Sequence, residues 1–148
     1  MGFELRDDAL SSIPWGFALR VGMPWMRSLP LACVLDLEME VDGAAVPHED
    51  VQVRIDGADV TVADLAEHHA TWWFLQDRLV LHAPGPLAEG EHVVTVAVCL
   101  LLPYLSAGPG RPAILPFRLS RRLRLDAEAE PGAFRDVTAG TAQPQGSR

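Results

Sequence analysis

The chain is short of the features that announce chemistry. It has two cysteines in 148 residues, Cys33 and Cys99. Both sit in apolar, strand-like runs, which favours buried free thiols, with a disulfide as the alternative. The longest apolar run, residues 96–102, is far short of the ~20 residues that span a membrane as a helix. Positive charge is scarce: 12 basic residues face 20 acidic ones, for a net charge of −8. That balance argues against nucleic acid and anionic membranes as partners. The charges at Glu4, Arg6, Asp7 and Asp8 interrupt the start, so no secretory leader is expected. A cytoplasmic, reduced protein follows as the default. There is no G-x-S-x-G, and none of Ser11, Ser12, Ser28, Ser106 or Ser120 has a local activating signature. No repeat of fixed period and no βαβ alternation is present.

What the chain does have is alternation. Apolar residues make up 49% of it, so it is not disordered, and a single domain of this length buries about 70% of its unfolded surface. From Leu35 to Val41 the odd positions are apolar and the even ones are Asp36, Glu38 and Glu40. That is a strand with one dry and one wet face. Asp42-Gly43 closes it, because glycine accepts the positive φ of a tight turn. A second alternating run, residues 51–55, ends in another Asp-Gly at 56–57. Between Trp15 and Trp25 the odd positions are again apolar, and small residues between them allow close approach of another surface.

The remaining segments follow the same logic. Pro24 and Pro30 bracket a loop. Residues 60–65 predict a short helix, with Thr61 and Asp64 spaced as a capping box, ending by His68-His69. Residues 72–74 and 79–81 read as strands. Residues 93–102 are apolar but for Thr95, which predicts a central strand covered on both faces. Pro103 is expected to stop it, and residues 103–112 to form a loop outside any regular ladder. In the last strand Leu115, Phe117, Leu119, Leu123 and Leu125 share one face, and Arg118, Arg122 and Arg124 the other. Arg121 breaks the pattern. The expected fold is all-β: an antiparallel β-sandwich of about seven to nine strands with one short helix. It spans residues 1–125, and residues 126–148 form a flexible or partner-ordered tail.

Candidate chemistry is thin. His48, His68, His69, His82 and His92 lack metal-ligand spacing. Asp36, Glu38 and Glu40 lie about 6.6 Å apart along a strand, which suits a solubilising face better than acid–base work. The aromatics are less ordinary. Trp25 and Arg27 lie in the Pro-bracketed loop, and Tyr104 follows Pro103. Trp72 and Trp73 are adjacent, so on a strand they face opposite sides and at least one lies outside the core. Trp, Tyr and Arg are the residues that anchor interfaces.

The order of these pieces resembles the small (β) subunit family of bacterial C-glycoside deglycosidases. The matching segments begin with Met23-Pro24-Trp25-Met26-Arg27-Ser28-Leu29-Pro30-Leu31. Val41-Asp42-Gly43 with Val46-Pro47, Val53-Arg54-Ile55-Asp56-Gly57 and Trp72-Trp73-Phe74 follow. Gly85-Pro86-Leu87-Ala88-Glu89-Gly90-Glu91-His92-Val93-Val94 and Leu102-Pro103-Tyr104-Leu105 complete them. The resemblance covers roughly residues 13–125. Trp25-Met26 departs from it, standing where a Tyr-rich pair is expected.

The resemblance implies a non-catalytic β-sandwich subunit bound to a larger TIM-barrel-type α subunit. That partner carries a divalent metal, usually Mn²⁺, and the acid–base residues; this chain carries no cofactor of its own. The implied substrates are 3-oxo-C-glycosides. Their 3-oxo group acidifies the C2 proton, and its removal leads to β-elimination of the bond from C1 to the aglycone, a carbon–carbon lyase reaction. No catalytic residue is assigned here. Trp25, Arg27, Trp72, Trp73 and Tyr104 are the candidates for the partner interface or the pocket wall. The competing readings are a stand-alone carbohydrate-binding module with exposed Trp as a stacking platform, and a self-contained metallohydrolase.

Overall fold

The structure, a computed structural model, describes residues 5–127 and 135–137. The tail expected over residues 126–148 otherwise lies outside the described residues. In chain order the strands are β1 (Leu10–Ile13), β2 (Gly16–Gly22), β3 (Leu29–Pro30), β4 (Val34–Val41), β5 (Ala44–Ala45) and β6 (Gln52–Ile55). They continue with β7 (Ala58–Thr61), β8 (Trp72–Trp73), β9 (Asp77–Pro84), β10 (Glu91–Gly108), β11 (Arg111–Arg124) and β12 (Arg135–Val137). One sheet has the order β1-β2-β9-β6-β7, with β12 added to β9. A second has the order β11-β10-β4-β5, and β3-β8 form a short ladder. All pairings are antiparallel except β12 with β9. The all-β reading holds. The two-residue strands β3, β5 and β8 take the count above the expected seven to nine, being too short to show alternation.

Both large sheets feed one core. Leu19, Val21 and Leu81 of the first join Leu37, Met39 and Val96 of the second in a single buried cluster. The Asp-Gly pairs do what their sequence predicts. Asp42 and Gly43 have φ of 53° and 83°, and Asp56 and Gly57 have 52° and 81°. Two consecutive positive φ values make the turn whose twist matches the flanking strands, and hairpins β4–β5 and β6–β7 close on them. The small residues of β2 also find their reason. A Cβ on Gly16 would stand 1.9 Å from the Ala83 carbonyl oxygen.

The predicted helix is a five-residue 3-10 helix, Ala63–Glu67. Its capping box forms: the Asp64 N–H donates to Thr61 Oγ1 (3.2 Å) and the Thr61 N–H to Asp64 Oδ2 (3.4 Å). The described residues from Leu5 onward are built into the fold. β1 is an edge strand, Leu5, Ala9 and Leu10 are buried, and Asp8 pairs with the buried Arg78 at 2.7 Å.

Three expectations fail. Leu35 is not on the dry face of β4; it is 47% exposed. Cys99 pairs with Asp36 but Leu100 with Val34, so Leu35 is the extra residue of a β-bulge and is turned outward. Strand β10 is central, yet only one face is covered. Val94, Val96, Val98, Leu100 and Leu102 are buried, whereas Val93 is 38% exposed and Ala97, Cys99 and Leu101 are half-buried. Finally, residues 103–112 are not a loop outside the ladder. β10 runs through Pro103 to Gly108 and pairs with β11 across a turn at Pro109-Gly110. β4 ends opposite Leu100, so beyond it β10 is an edge, where a missing proline N–H costs little. Leu102 pairs with Ala113 but Ser106 with Pro112, so residues 103–105 bulge out of the ladder.

Arg121, the residue out of pattern in β11, turns to the chain start. It donates to the Leu5 carbonyl and the Asp7 carboxylate.

Candidate subunit interface

Two irregular segments meet at one corner. The first is the loop between β2 and β3. Pro24 helps keep it out of the sheets, and two contacts pin it. The Leu75 N–H donates to Ser28 Oγ at 2.6 Å, and β3 pairs with β8, Leu29 with Trp73 and Pro30 with Trp72. The second is the bulge at residues 103–105.

The corner is tied together by aromatic and cationic groups. The Trp25 indole N–H donates to the Tyr104 hydroxyl. The Arg27 guanidinium carbon lies 4.8 Å from the Tyr104 ring centroid, a cation–π contact. Beneath them the Trp25 ring packs on Phe117, with centroids 6.1 Å apart and planes at 57°. The outer side is open: Tyr104 is 47% exposed, Leu105 41% and Met26 66%. Residues 103–106 and 110–112 also line an open depression beside it.

Three of the five residues singled out from the sequence, Trp25, Arg27 and Tyr104, are therefore brought together. Trp72 is exposed on the short ladder and stacks on Phe74 at 6.4 Å with planes 20° apart. Trp73 is fully buried and donates its indole N–H to the Asp77 carbonyl at 3.3 Å. It presents no surface and braces the ladder from inside. The alternation of neighbours on a strand anticipated this split. Met26, Leu105 and Phe117 were not singled out. Met26 and Leu105 adjoin the marked residues, and Phe117 lies on the dry face of β11.

Three of the histidines, His48, His82 and His92, have structural partners. His92, buried, lies 2.6 Å from the Asp42 carboxylate through Nδ1 and 2.7 Å from the Ala88 carbonyl through Nε2. Both partners accept, so the doubly protonated ring suits the site. The Ala88 carbonyl, and then Asp42, hold the His92 pKa above its ordinary value, and the desolvation of the ring opposes them. His48 contacts Asp36 at 3.0 Å on the surface. His82 contacts Asp59 at 3.2 Å and meets Trp15 edge-on at 5.7 Å. Burial pushes the Cys33 thiol up, which makes it a poor nucleophile. Cys33 and Cys99 are both free. Among the described residues, no group of three or more His, Cys, Asp and Glu is placed to hold a metal ion. None of their helices is long and apolar enough to cross a membrane. The corner is thus a rigid, exposed aromatic–cationic surface of the kind that binds protein or a flat ligand.

Comparison with known proteins bears on what it meets. The sequence profile of the family described as C-glycoside deglycosidase beta subunit matches residues 5–104, a span that includes Trp25, Arg27 and Tyr104. A C-glycoside deglycosidase beta subunit of Microbacterium trichothecenolyticum is 36% identical over 89 residues, 60% of this chain and 68% of that protein. One of Arthrobacter globiformis is 33% identical over 109 residues, 72% and 83% of the two chains. A 3'-dehydrocarminate deglycosidase beta subunit of a Microbacterium species is 28% identical over 107 residues, 72% and 80%. By the extent of these matches, the chain belongs to the C-glycoside deglycosidase beta subunit family.

Proposed function

We propose that this chain is the non-catalytic β subunit of a cytoplasmic C-glycoside deglycosidase, bound to a larger TIM-barrel-type α subunit. The observation that carries the reading is the exposed Trp25–Arg27–Tyr104 corner in a chain of this family. Its side chains are held by one another before any partner arrives, so little conformational freedom is left to lose on docking. The substrate is a 3-oxo-C-glycoside, and the bond from C1 to the aglycone is eliminated, which makes the complex a carbon–carbon lyase. A divalent metal, Mn²⁺ in the family's pattern, would supply Lewis-acid charge in the α subunit; the described residues of this chain do not fit one. This chain's part is to hold the α subunit's loops and to wall the pocket with the rim of the corner.

Reconstitution tests the proposal. Aglycone release from a 3-oxo-C-glycoside is followed with the α subunit alone, with this chain alone, and with both. Turnover that needs both chains is expected. Turnover by this chain alone, or equal turnover by the α subunit without it, overturns the proposal. Glycan binding by the isolated chain, with no effect on the α subunit, would identify a carbohydrate-binding module instead.

A further inference from the structure

The outer face of the β4–β10–β11 sheet takes no part in the corner. Its composition follows from register. Residues that point away from the core form rows across the three strands: Glu38, Ala97 and Arg118 in one, Asp36, Cys99 and Pro116 in the next. Acid therefore lies on one flank, small side chains fill the middle, and Arg118 stands on the other flank. Beyond these rows the bulge turns Leu35 outward on the β4 side, while Leu101 pairs with Ile114 on the β11 side. Leu35 is 47% and Ile114 53% exposed. Arg118, 64% exposed, reaches Glu40 of its own sheet only at 3.9 Å.

We propose that this face docks a second copy of the chain, about a two-fold axis running along β10. The argument is charge complementarity under symmetry. A two-fold interface places one patch against itself. With the axis along β10, left and right exchange while the rows stay level. Glu38 of each copy then meets Arg118 of the other, twice per dimer, and Leu35, between the Cys99 and Leu100 levels, lies diagonal to Ile114, which is level with Leu101. Ala97 faces Ala97 at the centre, small enough for two sheets to close to about 10 Å. An axis across the strands would set Glu38 on Glu38 and Arg118 on Arg118, and like charges in contact are strongly disfavoured. The two β10 strands must therefore run in the same direction. The bulge at Leu35 gains a purpose: it moves a leucine from the core side to this face, near Ile114 of the second copy.

Sedimentation of the full chain over a concentration range tests this. The wild-type chain should form a dimer. Arg118→Glu and Glu38→Arg should each weaken it on the order of 100-fold, because each creates two like-charge contacts. The double variant Glu38→Arg/Arg118→Glu should regain most of the association, since it exchanges the signs and keeps their complementarity. A second readout uses Cys99, which sits near the axis while Cys33 is buried. A short bis-maleimide should link wild-type chains into a covalent dimer and fail with Cys99→Ser. A monomer at every concentration, single reversals that leave the dimer intact, or a double variant with no recovery each overturns the proposal. Association with the α subunit is not needed for any of these measurements.

Discussion

The indole N–H of Trp25 donates to the hydroxyl of Tyr104, 79 residues away along the chain. That contact joins the loop after β2 to the bulge of β10, and it orients the Tyr104 ring under the Arg27 guanidinium. Neither segment belongs to a regular ladder, so each relies on the other for its shape.

Truncation at this corner should be felt in association. Trp25→Ala or Arg27→Ala is expected to weaken binding of the α subunit by more than ~1 kcal/mol, the usual mark of an anchoring residue. Tyr104→Phe keeps the ring beneath Arg27 and removes only the hydroxyl, so its effect should be smaller. Calorimetric titration of the purified subunits measures all three. Unchanged affinity in the alanine variants would remove the corner from the interface.

His92 should make stability depend on pH with a definite sign. Its folded pKa is raised by the Ala88 carbonyl and the Asp42 carboxylate. The stabilisation is therefore complete below the unfolded value, near pH 6.5, and fades as pH rises through the raised folded value. Asp42 behaves oppositely. Its pKa is lowered, first by the His92 hydrogen bond and then by the Val93 N–H. Its contribution is present above about pH 3.8 and fades as pH falls through the lowered value. The Tm gap between wild type and His92→Gln should be wide near about pH 5.5 and narrow near about pH 9. A gap that does not change with pH would contradict the charged assignment of the ring.

Gly16 tests the close approach of β2 to β9. Its added Cβ would meet backbone, the Ala83 carbonyl oxygen at 1.9 Å, and backbone cannot step aside as a side-chain tip can. Gly16→Ala should cost about 3 kcal/mol or more in denaturant unfolding. A cost below ~1 kcal/mol would mean that the two strands are not held this closely.

Much of this fold can be read in the sequence because its signals are local. The two Asp-Gly turns, the alternation in β11 and, from Leu37 to Val41, in β4, and the Thr61–Asp64 capping box each depend on residues a few positions apart, and each forms. The errors concern relations across strands. Pro103 reads as a stop, and it is tolerated because β4 ends opposite Leu100, a fact of pairing rather than of composition. Leu35 keeps the alternating pattern, yet a bulge against Cys99 and Leu100 turns it outward. The apolar run of β10 implies two covered faces, but one is only partly covered. The corner was partly visible. Trp25, Arg27 and Tyr104 stood out by residue type and by their proline neighbours, whereas their convergence, and the burial of Trp73 beside the exposed Trp72, depend on the third dimension.

Co-purification with the α subunit tests the central claim most directly. The tagged chain is expressed with its TIM-barrel-type partner, and the eluted species is weighed by light scattering while its metal content is measured. The account predicts a stoichiometric complex of the two chains, with the metal tracking the α subunit and none retained by this chain purified alone. A chain that elutes without the α subunit at every concentration would contradict it.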